Sequence, residues 1–252
     1  MEIWGKIKAV GFWPIAIVVA AVAIVLFLAM PRARAEGISK AGLVPIGEVA
    51  AATTKWSGFY IGPSAGWANA DIDFPGAPAH PAGPPRQTLE GAVLGGQIGY
   101  NWQINGLVLG VEADASWGDL GGTVKDGNYM TETQSIDWMG SVRGRVGYAF
   151  GSLLPYLTAG IMWDRASAGV ACPSGAEYGF CKSGAFDFSD KQVHQGFVWG
   201  GGVEHAIASR MSVRVEALYA DMGDETYTLG GSPWKVEHEL TIVRAGINLK
   251  LN

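Results

Sequence analysis

The sequence predicts an all-β protein, an eight-stranded antiparallel up-and-down transmembrane β-barrel, on three observations. Apolar and polar residues alternate with a period of two over eight segments from Trp56 onward, as strands with two different faces require. The connections between these segments alternate between 16–29 residues and 3–4 residues. Aromatic residues gather near both ends of the segments on the apolar face. An even number of strands with all short turns at one end is typical of a closed antiparallel barrel.

The first four predicted strands cover residues 57–68, 91–102, 107–117 and 134–149. In the third, the odd positions from Leu107 to Trp117 are apolar and the even ones include acidic residues. In the fourth, apolar Trp138, Val142 and Val146 alternate with Asp137 and two arginines. The Asn-Gly pair between the second and third strands is a strong type I′ hairpin signal.

The last four predicted strands cover residues 153–164, 194–206, 211–220 and 237–251. In the seventh, apolar residues from Met211 to Tyr219 alternate with Arg214 and Glu216. In the eighth, the apolar positions from Thr241 to Leu251 alternate with polar ones in the same way. Each of these strands therefore has one apolar face and one charged face.

The composition excludes two other classes of protein. The 252 residues are 48% hydrophobic and only 16% charged, which is unlike a disordered chain. A net charge of −5 argues against a nucleic-acid partner, because such binding needs a basic surface. Two cysteines are too few for a disulfide scaffold or a Cys-only zinc site.

Residues 1–35 have the pattern of a secretory signal peptide. Two lysines precede an apolar run over residues 9–30, and Ala33-Arg34-Ala35 supplies the small-x-small pattern that signal peptidase reads. We expect cleavage after Ala35, a flexible N-terminal segment over residues 36–55 and a barrel over residues 56–252. The alternative is an uncleaved anchor, since the apolar run is long enough to span a bilayer. Cleavage removes four basic residues and one acidic residue and changes the net charge from −5 to −8.

The charged faces of the strands predict the interior of the barrel. An Arg or Lys facing the centre of the bilayer costs about 2–4 kcal/mol, so these faces should point into the lumen. Because eight strands enclose a space that side chains just fill, five acidic and five basic residues should form a plugging ion-pair network. They are Glu112, Asp114, Arg143, Arg145, Asp164, Glu204, Arg214, Glu216, Arg244 and Lys250.

Two alternatives to this lumen remain open at the level of sequence. A soluble, lipocalin-like barrel would place the apolar face inside, but would leave Trp138, Trp163 and Trp199 in water. A narrow gated pore would keep the membrane barrel but give the charged residues a conducting role.

Aromatic residues on the lipid-facing positions predict two membrane-interface belts. One belt lies toward the short turns and contains Tyr100, Trp102 and Tyr148. The other lies toward the long connections and contains Trp117, Trp138, Trp163, Phe197, Trp199 and Tyr219.

The predicted long loops carry the net negative charge and both cysteines. Cys172 and Cys181 lie nine residues apart in the longest loop, and a local disulfide is expected in an exported protein. The acidic loops suit cation-bridged contact near lipopolysaccharide, with ordinary solvated loop charge as the alternative.

The histidines give little support to catalysis. His80, His194, His205 and His238 are scattered, without a metal-ligand spacing, and no nucleophile motif is present. We therefore expect no catalytic residue, no cofactor and no metal site. Surface capture of haem or another ligand by His80 and His194 is the alternative.

Four segments carry a resemblance to a known family. They are Trp56-Ser57-Gly58-Phe59-Tyr60-Ile61-Gly62, Gly95-Gly96-Gln97-Ile98-Gly99-Tyr100-Asn101-Trp102, Arg143-Gly144-Arg145-Val146-Gly147-Tyr148 and Pro155-Tyr156-Leu157-Thr158-Ala159-Gly160. Together they resemble the small eight-stranded outer-membrane proteins of alphaproteobacteria, a group similar to the transmembrane half of OmpA and to the opacity proteins. The resemblance covers residues 56–251 and implies a location in the bacterial outer membrane.

The function expected from these observations is a structural or cell-surface interaction role. The expected partners are outer-membrane lipid and lipopolysaccharide, with an extracellular ligand or host surface bound through the loops, and the expected state is a monomer. The alternative function is a low-conductance porin for small solutes.

Overall fold

The computed structural model describes residues 54–73, 86–126, 130–172, 187–229 and 232–251. Eight strands in these ranges form one closed barrel in which neighbours in sequence pair antiparallel and the first strand pairs with the last. They are β1 (Gly58–Asp73), β2 (Arg86–Ile104), β3 (Leu107–Asp126), β4 (Met130–Tyr148), β5 (Leu153–Ala171), β6 (Asp187–Ala208), β7 (Met211–Leu229) and β8 (Ser232–Lys250). The predicted strand number, order and closure are confirmed.

The predicted signal peptide and most of the N-terminal segment, residues 1–53, lie outside the described residues. Among the residues that are described, no helix is long and apolar enough to cross a membrane.

The short connections lie at one end of the barrel, which we call the lower end. Asn105 in the turn between β2 and β3 has a φ of 55°, the left-handed conformation that a tight hairpin turn needs. Gly151, between β4 and β5, has a φ of 62° for the same reason. The opposite end is the upper end.

The strands extend much further toward the upper end than the sequence predicted. They contain from 16 to 22 residues, whereas a tilted strand crosses a bilayer with about 9–11. Large parts of the predicted long loops, 69–90, 118–133, 165–193 and 221–236, are therefore strand. These stretches looked like loops because their outward-facing residues, such as Thr131, Thr133 and Asp71, are polar and not apolar.

A β-bulge interrupts the alternation in the fourth strand. The register between β4 and β5 shifts between Ile136 and Trp138, so that Asp137 is exposed and Trp138 is half-buried on the outside of the barrel. The alternation that groups Asp137 with the two arginines of the fourth strand is broken for this reason. Its carboxylate lies 3.8 Å from the Lys191 ammonium group.

Candidate functional site in the barrel lumen

The lower half of the lumen is filled by charged side chains. Eight of the ten residues predicted for the ion-pair network lie there, each at most 8% exposed. They are Glu112, Asp114, Arg143, Arg145, Glu204, Arg214, Glu216 and Arg244, and we call them the lumen network. Because it contains four arginines and four carboxylates, its formal charges cancel.

Glu112 on β3 is the centre of the lumen network. Its carboxylate lies within 4.0 Å of all four guanidinium groups: 2.6 Å from Arg143, 3.8 Å from Arg145 and 4.0 Å from Arg244, with Arg214 in direct hydrogen-bond contact. One buried carboxylate therefore contacts cations from three different strands, β4, β7 and β8.

Three further carboxylates close the network around the lumen. Glu216 lies 3.1 Å from Arg143 and 2.9 Å from Arg244. Asp114 lies 2.8 Å from Arg244, and Glu204 lies 2.8 Å from Arg145. Every arginine of the network thus has at least one carboxylate partner, as buried charges require.

Neutral polar residues that the sequence argument missed complete the lower lumen. Tyr60 donates to Glu112 at 2.7 Å, and Tyr156 donates to Glu216 at 2.9 Å. The Arg145 guanidinium lies 4.1 Å from the centre of the Tyr156 ring. The alternation of β1 and β5 places both tyrosines on the inward face, but the prediction considered charged residues alone.

Two predicted members lie outside the lumen network. Lys250 is half-buried at the lower end of β8, and its ammonium group donates to the Lys55 carbonyl oxygen at 2.8 Å. It lies at the mouth of the lumen because it is the last residue of its strand. Asp164 is fully buried but contacts His238 at 2.7 Å and not an arginine, because it lies higher in the barrel.

The lower mouth is closed by an aromatic residue. Trp56 is only 6% exposed and packs in a small apolar cluster with Val108 and Leu154. Its indole N–H donates to the Gly151 carbonyl oxygen at 3.3 Å, and its backbone N–H donates to Gln103 Oε1 at 2.7 Å.

The upper half of the lumen has an apolar interior, which we call the upper core. It contains Ala68, Ala70, Ile72, Leu89, Val93, Leu120, Ile136, Met139, Met162, Ala166, Ala168, Val198, Leu218, Ala220, Met222, Tyr227, Val236, Leu240 and Ile242. All of them are 7% exposed or less. Burial of this size stabilises a fold through the hydrophobic effect.

Four side chains, Asp164, His194, Tyr227 and His238, form a polar chain against the upper core, which we call the histidine chain. His238 Nε2 lies 2.7 Å from Asp164 Oδ2, and His194 Nε2 lies 2.7 Å from the Tyr227 hydroxyl. The two imidazole rings meet edge to face with centroids 4.2 Å apart. Burial and the neighbouring His238 lower the pKa of His194 to about 4.

The burial of His194 contradicts the alternative of ligand capture at the surface. Its side chain is inward-facing on β6 and fully buried. His80, the other residue of that alternative, lies outside the described residues. In the described part of the chain, no group of three or more His, Cys, Asp or Glu side chains could hold a metal ion.

The nine predicted interface aromatics all point away from the lumen. Trp102, Trp117, Tyr148, Phe197 and Trp199 are exposed on the barrel exterior, and Tyr100, Trp138, Trp163 and Tyr219 are half-buried there. Trp117 pairs with Trp138 across β3 and β4, and the Trp199 and Tyr219 rings lie 5.8 Å apart. Phe59 and Trp67 on β1, which the prediction omitted, are also exposed on this outer surface.

The structure describes one of the two cysteines. Cys172 directly follows β5, is 8% exposed and is disulfide-bonded. Cys181, its predicted partner, lies outside the described residues.

Comparisons with known proteins match this architecture. Residues 39–237 match the model of the outer membrane protein beta-barrel domain. The chain is 31% identical to the 31 kDa outer-membrane immunogenic protein of Brucella melitensis, over 79% of this chain and 85% of that protein. It is also 31% identical to the 22 kDa outer membrane protein of Rhizobium leguminosarum, over 77% of this chain and 78% of that protein.

Among solved structures, the outer membrane protein OprG from Pseudomonas aeruginosa is similar at 14% identity with a TM-score of 0.42. That similarity covers 77% of this chain and 97% of OprG. The predicted resemblance to alphaproteobacterial outer-membrane proteins is confirmed by the sequence relatives, and so is the location in the bacterial outer membrane. The chain belongs to the outer membrane protein β-barrel domain family.

Proposed function

We propose that this outer-membrane barrel has a structural and cell-surface interaction role and that its lumen does not conduct ions. The observation that carries the proposal is the lumen network, in which eight charged side chains are each at most 8% exposed. Their charges neutralise one another, and an eight-stranded barrel leaves little space beyond its side chains.

Two further barriers lie in series with the lumen network. Trp56 closes the lower mouth, and the upper core fills the other half of the lumen with apolar side chains. A hydrated ion would have to displace all three layers. This arrangement favours a plugged barrel over the low-conductance porin.

The same proposal assigns the upper end to the outside of the cell. Short turns of such barrels face the periplasm, and the exterior of the long upper strands carries polar and acidic residues such as Asp71, Asp221 and Glu239. The Brucella melitensis relative is named an immunogenic protein, which supports surface exposure by analogy. Lipid and lipopolysaccharide would contact the barrel wall, an extracellular ligand or host surface would contact the upper end, and the protein would act as a monomer without catalysis.

Planar-bilayer recording of the purified protein tests the closed lumen. We expect no stepwise conductance from the wild-type barrel, while a known porin reconstituted in parallel conducts. The variant Arg143→Ala should remain closed as well, because the other network side chains and both apolar barriers stay in place. Stepwise conductance of the wild-type protein would contradict the proposal and establish the porin.

Labelling of intact cells tests the orientation. A membrane-impermeant amine reagent should modify Lys191 and Lys235, which are exposed on the upper strands, without permeabilisation of the outer membrane. Modification of these lysines only after permeabilisation would reverse the orientation and remove the surface role.

A further inference from the structure

The histidine chain joins the four consecutive strands β5 to β8 inside the upper barrel. Asp164 lies on β5, His194 on β6, Tyr227 on β7 and His238 on β8. All four are at most 3% exposed, and they adjoin an interior that is otherwise mostly apolar. Polar side chains in such surroundings are costly unless they are hydrogen-bonded, so their arrangement constrains how these strands close.

The two histidines of the chain have different partners. His238 has a carboxylate partner, Asp164, which can balance an imidazolium charge. His194 has the Tyr227 hydroxyl as its partner, and its Nδ1 atom is buried without a hydrogen bond among the described residues. A proton added to His194 would therefore place a positive charge beside His238 with a neutral phenol as the nearest hydrogen-bond partner.

We propose that the histidine chain is an acid-sensitive latch, in which protonation of His194 opens the upper barrel while the lower barrel stays folded. The inference is independent of whether the lumen conducts. It follows from the position of His194, since Asp164 is already bound to His238 and an imidazolium at His194 is better stabilised when β6 moves away from β7 and β8 and admits water.

The charged and titratable groups around His194 come from four strands, β5 to β8. Asp164 on β5, Tyr227 on β7 and His238 on β8 face it directly, and Asp190 on β6 lies nearer the upper mouth, where it binds Gln192 and Thr228. The described inward-facing side chains of β1 to β4 around this level are uncharged: Ile72, Leu89, Leu120 and Met139 are apolar, and Ser116 is a neutral polar residue. Asp164 is thus the one described carboxylate at this level, and His238 already binds it.

The direction of the pH effect follows from the pKa of His194. Burial and the neighbouring His238 lower this pKa to about 4, below the ordinary value of about 6.5. Between these two values the open state binds more protons than the closed state. The closed state is therefore fully stable above pH about 6.5 and loses stability as the pH falls toward about 4. One proton changes the opening equilibrium by at most about tenfold per pH unit.

Hydroxyl-radical footprinting of the purified barrel in lipid tests the latch. Met139, Met162 and Met222 lie in the upper core at 1–2% exposed and report its opening, and Met211, which is 38% exposed at the lower end, serves as the reference. We expect their oxidation relative to Met211 to rise severalfold between pH 7.5 and pH 5. The mobility of the unheated barrel in gels should stay unchanged, because the lower barrel remains folded.

Two variants separate His194 from other titrating groups. His194→Gln keeps an amide that can bind Tyr227 but cannot be protonated, so oxidation of the three methionines should no longer depend on pH. His205→Gln changes a histidine of the same strand outside the upper core and should behave as the wild type. Equal pH dependence in His194→Gln and the wild type, or none in the wild type, would overturn the latch.

A measurement on the wild-type protein tests the latch even if a variant fails to fold. The ring resonances of His194 in an NMR titration should move with a midpoint near pH 4. A midpoint near 6.5 would show that protonation of His194 costs the closed barrel nothing, and the latch would be excluded.

Discussion

The lower and upper halves of the barrel consist of the same eight strands but have opposite interiors. In β8, Arg244 faces the lumen between outward-facing Val243 and Ala245. Closer to the upper end of the same strand, Leu240 is fully buried inside and the acidic Glu239 lies on the outside. The alternation of apolar and polar faces is thus inverted within one strand.

This inversion shows which surroundings each half is built for. Lipid around the lower half requires an apolar exterior, so the polar residues face inward and neutralise each other. Water around the upper half requires a polar exterior, so the apolar residues face inward as in a soluble barrel. The upper interior thus has its apolar face inside, as the lipocalin-like alternative would place it, but the protein as a whole is an outer-membrane barrel and not a soluble one.

The largest effect is expected for removal of a cation from the lumen network. Arg143→Ala removes one of the two guanidinium groups that contact Glu112, Asp114 and Glu216. It leaves one buried negative charge uncompensated and should lower the free energy of unfolding by about 3–5 kcal/mol. Urea unfolding in lipid vesicles measures the change. The control is Arg165→Ala, whose guanidinium lies outside the barrel over the Trp138 ring and should contribute about 1 kcal/mol or less. Equal losses in the two variants would contradict a special role of the buried network.

The upper core should respond to lost volume. Leu120 is fully buried, and Leu120→Ala should cost about 3 kcal/mol through lost burial and the cavity left behind. Leu120→Met conserves the volume and should cost less than about 1.5 kcal/mol. The measurement is the unfolding of the upper strands, monitored by the oxidation of Met222. Similar losses in the two variants would mean that the upper core is loosely packed.

Close packing of the strands distinguishes two glycines of β5 at a smaller scale. A side chain at Gly160 in the lower half of β5 would place its Cβ 2.7 Å from the Arg143 Cα atom, so Gly160→Ala should cost about 1–3 kcal/mol. Gly169→Ala in the upper half of the same strand meets its nearest atom at 3.5 Å and should be tolerated. The urea midpoints of the two variants measure this difference in stability, and equal midpoints would contradict the prediction.

The sequence predicted the architecture because alternation, turn signals and strand number are local features. Eight of the ten residues predicted for the ion-pair network lie in the lumen network, since inward position in a regular strand follows from parity alone. Parity failed at Asp137, where a β-bulge adds a residue that no local signal marks.

The upper half could not be predicted because its chemistry depends on where the membrane ends. The prediction took apolar residues as lipid-facing along each whole strand, and polar Thr and Asp positions beyond the belts were interpreted as loop. The partners of His194 and His238 come from strands that are distant in sequence, Tyr227 being 33 and Asp164 being 74 residues away. Only the closed barrel places these four side chains together.

The smallest effect is expected for an ion pair on the outside of the upper barrel. Lys235 lies 3.2 Å from Glu237 and 3.4 Å from Asp224, with all three side chains exposed, so water and salt screen their charges. Hydrogen bonds to Glu237 and Asp224 raise the pKa of Lys235, so its contribution is present below pH about 10.5 and is lost at higher pH. Lys235→Gln should leave the urea midpoint at pH 7 within experimental scatter, and any residual difference should vanish in about 1 M salt. A loss close to that of Arg143→Ala, or one that persists in high salt, would show that exposed and buried ion pairs contribute equally to the stability of this barrel. The opposite surroundings of its two halves argue against that outcome.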